Sequence, residues 1–95
     1  MSTKTLVLKN RLGLHARAAS AFVRLSTRFK SDIQILKDGQ IANGKSIMGL
    51  LALAAPPGSQ ISLSVNGEDE TEAMEALCAL VDNGFGELGP NPHNS

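Results

Sequence analysis

Gly13-Leu14-His15-Ala16-Arg17 marks a change of sequence period, and its reading decides the fold. Upstream, Thr5-Leu6-Val7-Leu8-Lys9 is an apolar run of strand length. Downstream, Ala18, Phe22, Leu25 and Phe29 recur at i, i+4, i+7 and i+11, one face of a helix predicted from Ala16 to about Phe29. The pentapeptide is therefore a strand-to-helix junction, with Asn10 to Leu14 as its loop. Gly13 lets the backbone turn sharply. His15 then stands where a new helix offers unbonded N–H groups to an anion. Arg17 adds a fixed positive charge two residues on.

The same logic carries along the chain. Ser31-Asp32 breaks the helix, and Ile33 to Lys37 reads as a strand. Asp38-Gly39 is a hairpin signal, because both positions tolerate positive φ, and Gln40-Ile41-Ala42 is the return strand. Ser46 precedes Ile47 to Leu53, a short helix that it is placed to N-cap. Pro56-Pro57-Gly58 is a break. Gln60 to Asn66 alternates with period two and reads as a strand with one buried face. A last helix carries Ala73, Leu77, Leu80, Val81 and Gly84 on its inner side, with Glu68, Asp69, Glu70 and Glu72 at its N-terminus. Asp69 and Glu72 have capping-box spacing. The order is β-α-β-β-α-β-α. The fold class expected is α+β, an antiparallel sheet with its helices on one face. Residues 88–95, with His93, are rich in Gly, Pro and Asn, and are read as a disordered tail following a single domain over 1–87.

Composition narrows the function. The 95 residues suit one domain, and nine basic against nine acidic residues argue against a nucleic-acid binder. With three Phe and no Trp or Tyr, the core must be mainly aliphatic and little surface is left for stacking bases or sugars. Cys78 is the only cysteine, which rules out an internal disulfide and reads as a buried, inert thiol. One loop histidine without nearby ligands makes no closed metal site, and no cofactor is expected. No segment has signal-peptide or membrane-spanning form, so a cytoplasmic protein without membrane insertion is expected. Nothing in the sequence demands a dimer.

A neutral imidazole is a good nucleophile toward phosphorus near pH 7. An exposed His15, a helix N-terminus and Arg17 would position and stabilise a phosphoryl group, which is most of what phosphoryl transfer requires. On these residues alone, an ordinary loop histidine is the simpler reading of His15, and a helix cap the simpler reading of Ser46. Arg17, Arg24 and Arg28 share a helix face with Ser20, a basic stripe that is otherwise merely solvated. Ile47, Met48 and Leu51 crowd a helix too short to bury them all, leaving either core packing or an apolar docking patch.

Taken together, the pentapeptide and Lys45-Ser46-Ile47-Met48-Gly49, whose serine lies thirty-one residues after His15, resemble the HPr family of histidine-containing phosphocarriers of the bacterial phosphotransferase system. The resemblance spans about Thr3 to Glu87 and includes the element order. It implies an open-faced β-sandwich, a four-stranded antiparallel sheet with three helices on one face. It implies that His15 accepts a phosphoryl group on Nδ1 from enzyme I and passes it to an enzyme IIA protein or domain, with Arg17 contacting the phosphate. Ser46 is similar to the site modified by HPr kinase/phosphorylase. Leu14, Ser20, Arg24, Ile47, Met48 and Leu51 would form the partner surface of a monomeric carrier, rather than a stand-alone turnover enzyme. The alternative is a regulatory module whose Ser46 phosphoform serves a transcriptional regulator as corepressor, or acts as an allosteric effector. Two positions depart from the common family pattern. Ala18 stands where many members have proline, and Leu12 where some have Asn or Ser. The run Asn10 to Ala19 looks more like the nitrogen-type regulatory branch than the sugar-transport branch.

Overall fold

The computed structural model describes residues 1–86; the tail, with Glu87 and His93, lies outside the described residues. The elements are β1 (Ser2–Val7), α1 (Ala16–Ser26), β2 (Asp32–Lys37), β3 (Gln40–Asn43), α2 (Ile47–Ala52), β4 (Gln60–Asn66) and α3 (Glu70–Asp82), followed by a 3-10 turn over Gly84–Gly86. The strands form one antiparallel sheet in the order β1-β4-β2-β3. β4, the last strand in sequence, inserts between β1 and β2, so α1 connects two strands that are not neighbours.

Register explains which side is the core. Ile35 pairs with Leu63 and Ala42, Leu6 with Ile61, and Ile33 with Val65, which puts these buried side chains on one face. Ala18, Ala19 and Phe22 of α1, Leu50 of α2, and Ala73, Leu77 and Val81 of α3 are buried against them. Each large aliphatic or aromatic side chain so buried contributes roughly 1.5–3 kcal/mol. The other face carries Thr3, Thr5, Gln34 and Ser62, with the exposed Val7 and Ile41, and no described helix covers it. Asp38 and Gly39 have φ of 50° and 81°, the doubly positive turn the hairpin needs.

Several element ends differ from the sequence reading, those of β1 and α1 most, and Gly84, read as part of the last helix, lies past α3 in the 3-10 turn. β1 runs over Ser2–Val7 rather than Thr5 to Lys9. It is an edge strand, so only alternate positions face the helices and its polar first half still pairs with β4. Leu8 leaves the ladder yet stays buried, fixed by Leu8 N–H to Ser59 O and Gly58 N–H to Leu8 O, both 2.9 Å. α1 stops at Ser26 instead of continuing to Phe29. There the Ser26 hydroxyl turns inward and donates to Gly44 O (2.7 Å), and the Lys45 ammonium donates to Phe29 O (2.7 Å) just past the helix end, where a cation is favoured. Leu25 and Phe29 pack half-buried against the core.

The capping box at α3 does not form. Asp69 is the N-cap residue, but its carboxylate makes no cap bond. It accepts instead from the Ser31 hydroxyl and from the backbone N–H groups of Lys30 and Ser31, tying the start of α3 to the entry of β2. Glu70 takes the local role, accepting from Gly67 N–H (3.2 Å) and from the Ser2 hydroxyl (2.9 Å). The Ser31 hydroxyl bond, followed by the Lys30 and Ser31 amides, holds the Asp69 carboxyl below the ordinary aspartate range. A depressed carboxylate stabilises the fold above its unfolded pKa and loses that contribution as pH falls through the folded value. Asp69→Ala is therefore expected to be less stable than the parent near neutrality. The deficit should start to shrink below about pH 4, where the unfolded chain's carboxylate protonates, and vanish as pH falls through the lower folded value. Urea unfolding at both pH values checks this; a deficit independent of pH would contradict it.

Candidate phosphoryl-transfer site

The loop after β1 is held from two sides. Gly13 has φ +68°, and a Cβ built there would lie 2.4 Å from Ala55 O and 2.8 Å from the carbonyl carbon of Pro56. The loop can thus pack flush against the segment leaving α2 only because residue 13 lacks a side chain. Leu14 N–H donates to Ala55 O across this contact (3.0 Å). His15 follows in extended conformation (φ −91°, ψ −177°) and is itself the N-cap of α1.

The cap bond runs from the backbone N–H of Arg17 to His15 Nδ1 (3.3 Å). Nδ1 is the acceptor, so the neutral ring carries its proton on Nε2. The lone pair of Nδ1 is thereby directed at the first turn of α1, whose N–H groups have no carbonyl one turn back. An anion at Nδ1 would meet those amides and the positive end of an 11-residue helix. The ring is half-buried and Arg17 is exposed.

The basic stripe lies beside this site. Arg17 and Arg24 of α1 are exposed, Ser20 is half-buried, and Arg24 Nη1 donates to Ser20 Oγ at 3.4 Å; Arg28, also exposed, lies past the end of α1, so it is not on the helix face the sequence predicted. Ser46 caps α2, its hydroxyl accepting from Gly49 N–H at 3.0 Å. Its approach segment is firmly seated: Asn43 Oδ1 accepts from Lys45 N–H, Gly44 N–H donates to Ile33 O, and a Cβ on Gly44 would strike the Ile33 side chain. Ile47 (39% exposed) and Met48 (78%) present apolar surface, while Leu51 is half-buried against the core. Leu14 corrects the sequence reading: at 3% exposure it is a core residue and offers no surface to a partner. Alternation explains this, since an extended His15 turned outward sends its neighbour inward. Leu12, at the tip of the turn, is the exposed apolar residue of the loop instead (60%).

Among the described residues, no three His, Cys, Asp or Glu side chains gather in a way that could hold a metal ion. No described helix is long and apolar enough to cross a membrane. Burial pushes the Cys78 thiol up, away from the reactive thiolate, and its sulfur rests 3.5 Å from Met74 Sδ.

Known proteins share both sequence and architecture with this chain. The family described as "PTS HPr component phosphorylation site" matches residues 2–83. The phosphocarrier protein HPr of Neisseria meningitidis serogroup A is 46% identical over 87 residues, covering 92% of this chain and 98% of the relative. The HPr-like protein Crh of Halalkalibacterium halodurans is 50% identical over 82 residues, 86% and 98% of the respective chains. The crystal structure of HPr-C-His from Thermoanaerobacter tengcongensis superposes with a TM-score of 0.90 at 43% identity, covering 94% of this chain and 100% of that one. A small α+β phosphocarrier is the class that fold and relatives together define. The chain belongs to the HPr family, the phosphocarriers of the phosphotransferase system.

Proposed function

We propose that the chain carries one phosphoryl group between proteins on Nδ1 of His15. The observation that supports this most is the cap geometry: the ring nitrogen that keeps its lone pair as an acceptor points at a helix N-terminus. The Nδ1 lone pair attacks phosphorus of the phosphorylated donor, enzyme I, forming a P–N bond as the donor's bond to phosphorus breaks. The donor keeps that electron pair. Passing the group to an enzyme IIA protein or domain repeats the step in reverse, and the Nδ1 lone pair is restored. The first-turn amides and the Arg17 guanidinium offset charge on the phosphoryl oxygens. The basic stripe with Ser20 and Arg24, and the apolar side chains of Ile47, Met48 and Leu51, form the docking surface. Such a surface suits acidic partners and fast, transient encounters. The working unit is a monomeric domain over residues 1–87 acting in the cytoplasm.

Incubation with phosphoenolpyruvate and enzyme I, followed by intact-mass measurement before and after acid treatment, tests the reading. The expected product is a singly phosphorylated protein whose phosphate is lost in acid. An acid-stable adduct, or none, would count against it.

Ser46 is assigned to regulation by HPr kinase/phosphorylase. A phosphate there would sit at the start of α2, where negative charge is tolerated, so the fold would persist while the docking face lost much of its positive charge. Phosphorylation of Ser46 is expected to slow phosphoryl uptake from enzyme I by about tenfold or more, as like charge placed in an interface costs on the order of kcal/mol. Stopped-flow transfer with the two forms measures it; equal rates would remove the regulatory assignment. The second reading, a module acting mainly through its Ser46 phosphoform on a transcriptional regulator or as an allosteric effector, draws on the similarity to Crh. A nucleophile at His15 and an arginine beside it favour the carrier, since a purely regulatory module needs neither.

A further inference from the structure

Asn10 is a polar side chain at 0% exposure, and it lies in the loop that ends at His15. Its Nδ2 donates to the carbonyl of Gly13 at 2.7 Å. The same carbonyl accepts the backbone N–H of His15 at 3.0 Å. One oxygen is thus held by a buried amide on one side and the proposed phosphoryl acceptor on the other. A buried amide costs free energy unless bonded, and an aliphatic residue would fill the space without that cost. The polar residue is therefore accounted for by the bond it makes.

That bond bears on chemistry. Nδ1 reaches the first-turn amides only while His15 stays extended, which requires the Gly13 carbonyl to keep its orientation. The Gly13–Ala55 contact fixes the position of the loop; the Asn10 amide fixes the plane of the Gly13–Leu14 peptide, whose carbonyl in turn accepts the His15 N–H and so sets the backbone of His15. We propose that Asn10 is a positioning residue for phosphoryl uptake, acting through the Gly13 carbonyl on the backbone of His15. This rests on His15 being the acceptor.

Two variants separate the roles of the side chain. Asn10→Asp keeps the shape and removes the donor at neutral pH, and Asn10→Ala removes both. With circular dichroism showing a folded domain, transfer from phosphorylated enzyme I is expected to lose about tenfold in kcat, with KM unchanged within about twofold. A displacement of well under 1 Å in the attacking atom suffices for that loss. The 15N resonance of His15 Nδ1 is expected to move in both variants, a readout that a loop merely losing stability would not change. Parent-like kcat and an unmoved Nδ1 resonance in folded variants would overturn the proposal, as would a rise in KM alone. If neither variant folds, the parent protein decides: its Asn10 side-chain amide resonances are expected to shift when His15 is phosphorylated, and unmoved resonances would overturn the proposal. A parent that takes no phosphate on His15 would show, before any variant is compared, that the underlying assignment had failed instead.

Discussion

His15→Ala is expected to take up no acid-labile phosphate from enzyme I, while remaining folded. The loss should be complete, because His15 is the histidine whose ring nitrogen is held at the α1 N-terminus. The structural cost is small. A side-chain cap replaced by alanine loses about 0.5–2 kcal/mol, and the 3.3 Å bond from Arg17 N–H is a long one, which places the loss at the low end. A drop in Tm of a few degrees is the expected companion for a domain of this size. His15→Asn sharpens the contrast. Asparagine is a better cap than histidine, so stability should recover while transfer stays absent. Tm and phosphoryl uptake measured on both variants would separate nucleophile from cap; residual acid-labile uptake in either one would place the acceptor elsewhere.

Gly13→Ala is expected to damage both stability and transfer. Alanine at φ +68° is in the left-handed region, which costs roughly 1–2 kcal/mol for a residue with a Cβ. The steric clash costs more: the new methyl would sit 2.4 Å from Ala55 O, a backbone atom that cannot rotate away. Forcing extra volume into such a contact adds typically about 1–3 kcal/mol. A total near 4 kcal/mol would lower Tm by roughly 20 °C in a domain of this length. Relief comes only by parting the loop from the α2 exit, which breaks the bond from Leu14 N–H to Ala55 O and tilts His15. The surviving folded protein should therefore transfer phosphate slowly even well below its Tm. Thermal unfolding and single-turnover transfer check both effects; parent-like values would show that the loop accommodates a side chain.

Much of this was legible in the sequence, for reasons that can be named. The helix period of Ala18 and Phe22, the alternation in Gln60 to Asn66 and the Asp38-Gly39 turn each carry their geometry locally, and the strand and helix order follows. Ser46 could be placed at an N-cap because serine before an apolar run has few other uses. Contacts between distant segments were not legible. No pattern announces that the Asp69 carboxylate abandons its own helix for Lys30 and Ser31, since the capping-box spacing is satisfied and the competing donors lie 38 and 39 residues away. The end of α1 was hidden because Ser26 looks like a surface residue until Gly44 O is found opposite it. Leu14 was misplaced for a related reason: motif membership says nothing about which side of an extended backbone faces the core. The sequence also suggested that helix amides would point back at the imidazole. Only the family resemblance pointed to Nδ1; the residues by themselves could not say that His15 is the cap, nor which ring nitrogen meets those amides.

That last detail carries the functional account and is directly measurable. With ring-15N-labelled protein phosphorylated by enzyme I and phosphoenolpyruvate, heteronuclear NMR reads which nitrogen of His15 is bonded to phosphorus. The expected result is phosphorus on Nδ1, with the amide resonances of Arg17 and its first-turn neighbours shifting as they meet the phosphoryl oxygens. Phosphorus on Nε2, or on a residue other than His15, would contradict it.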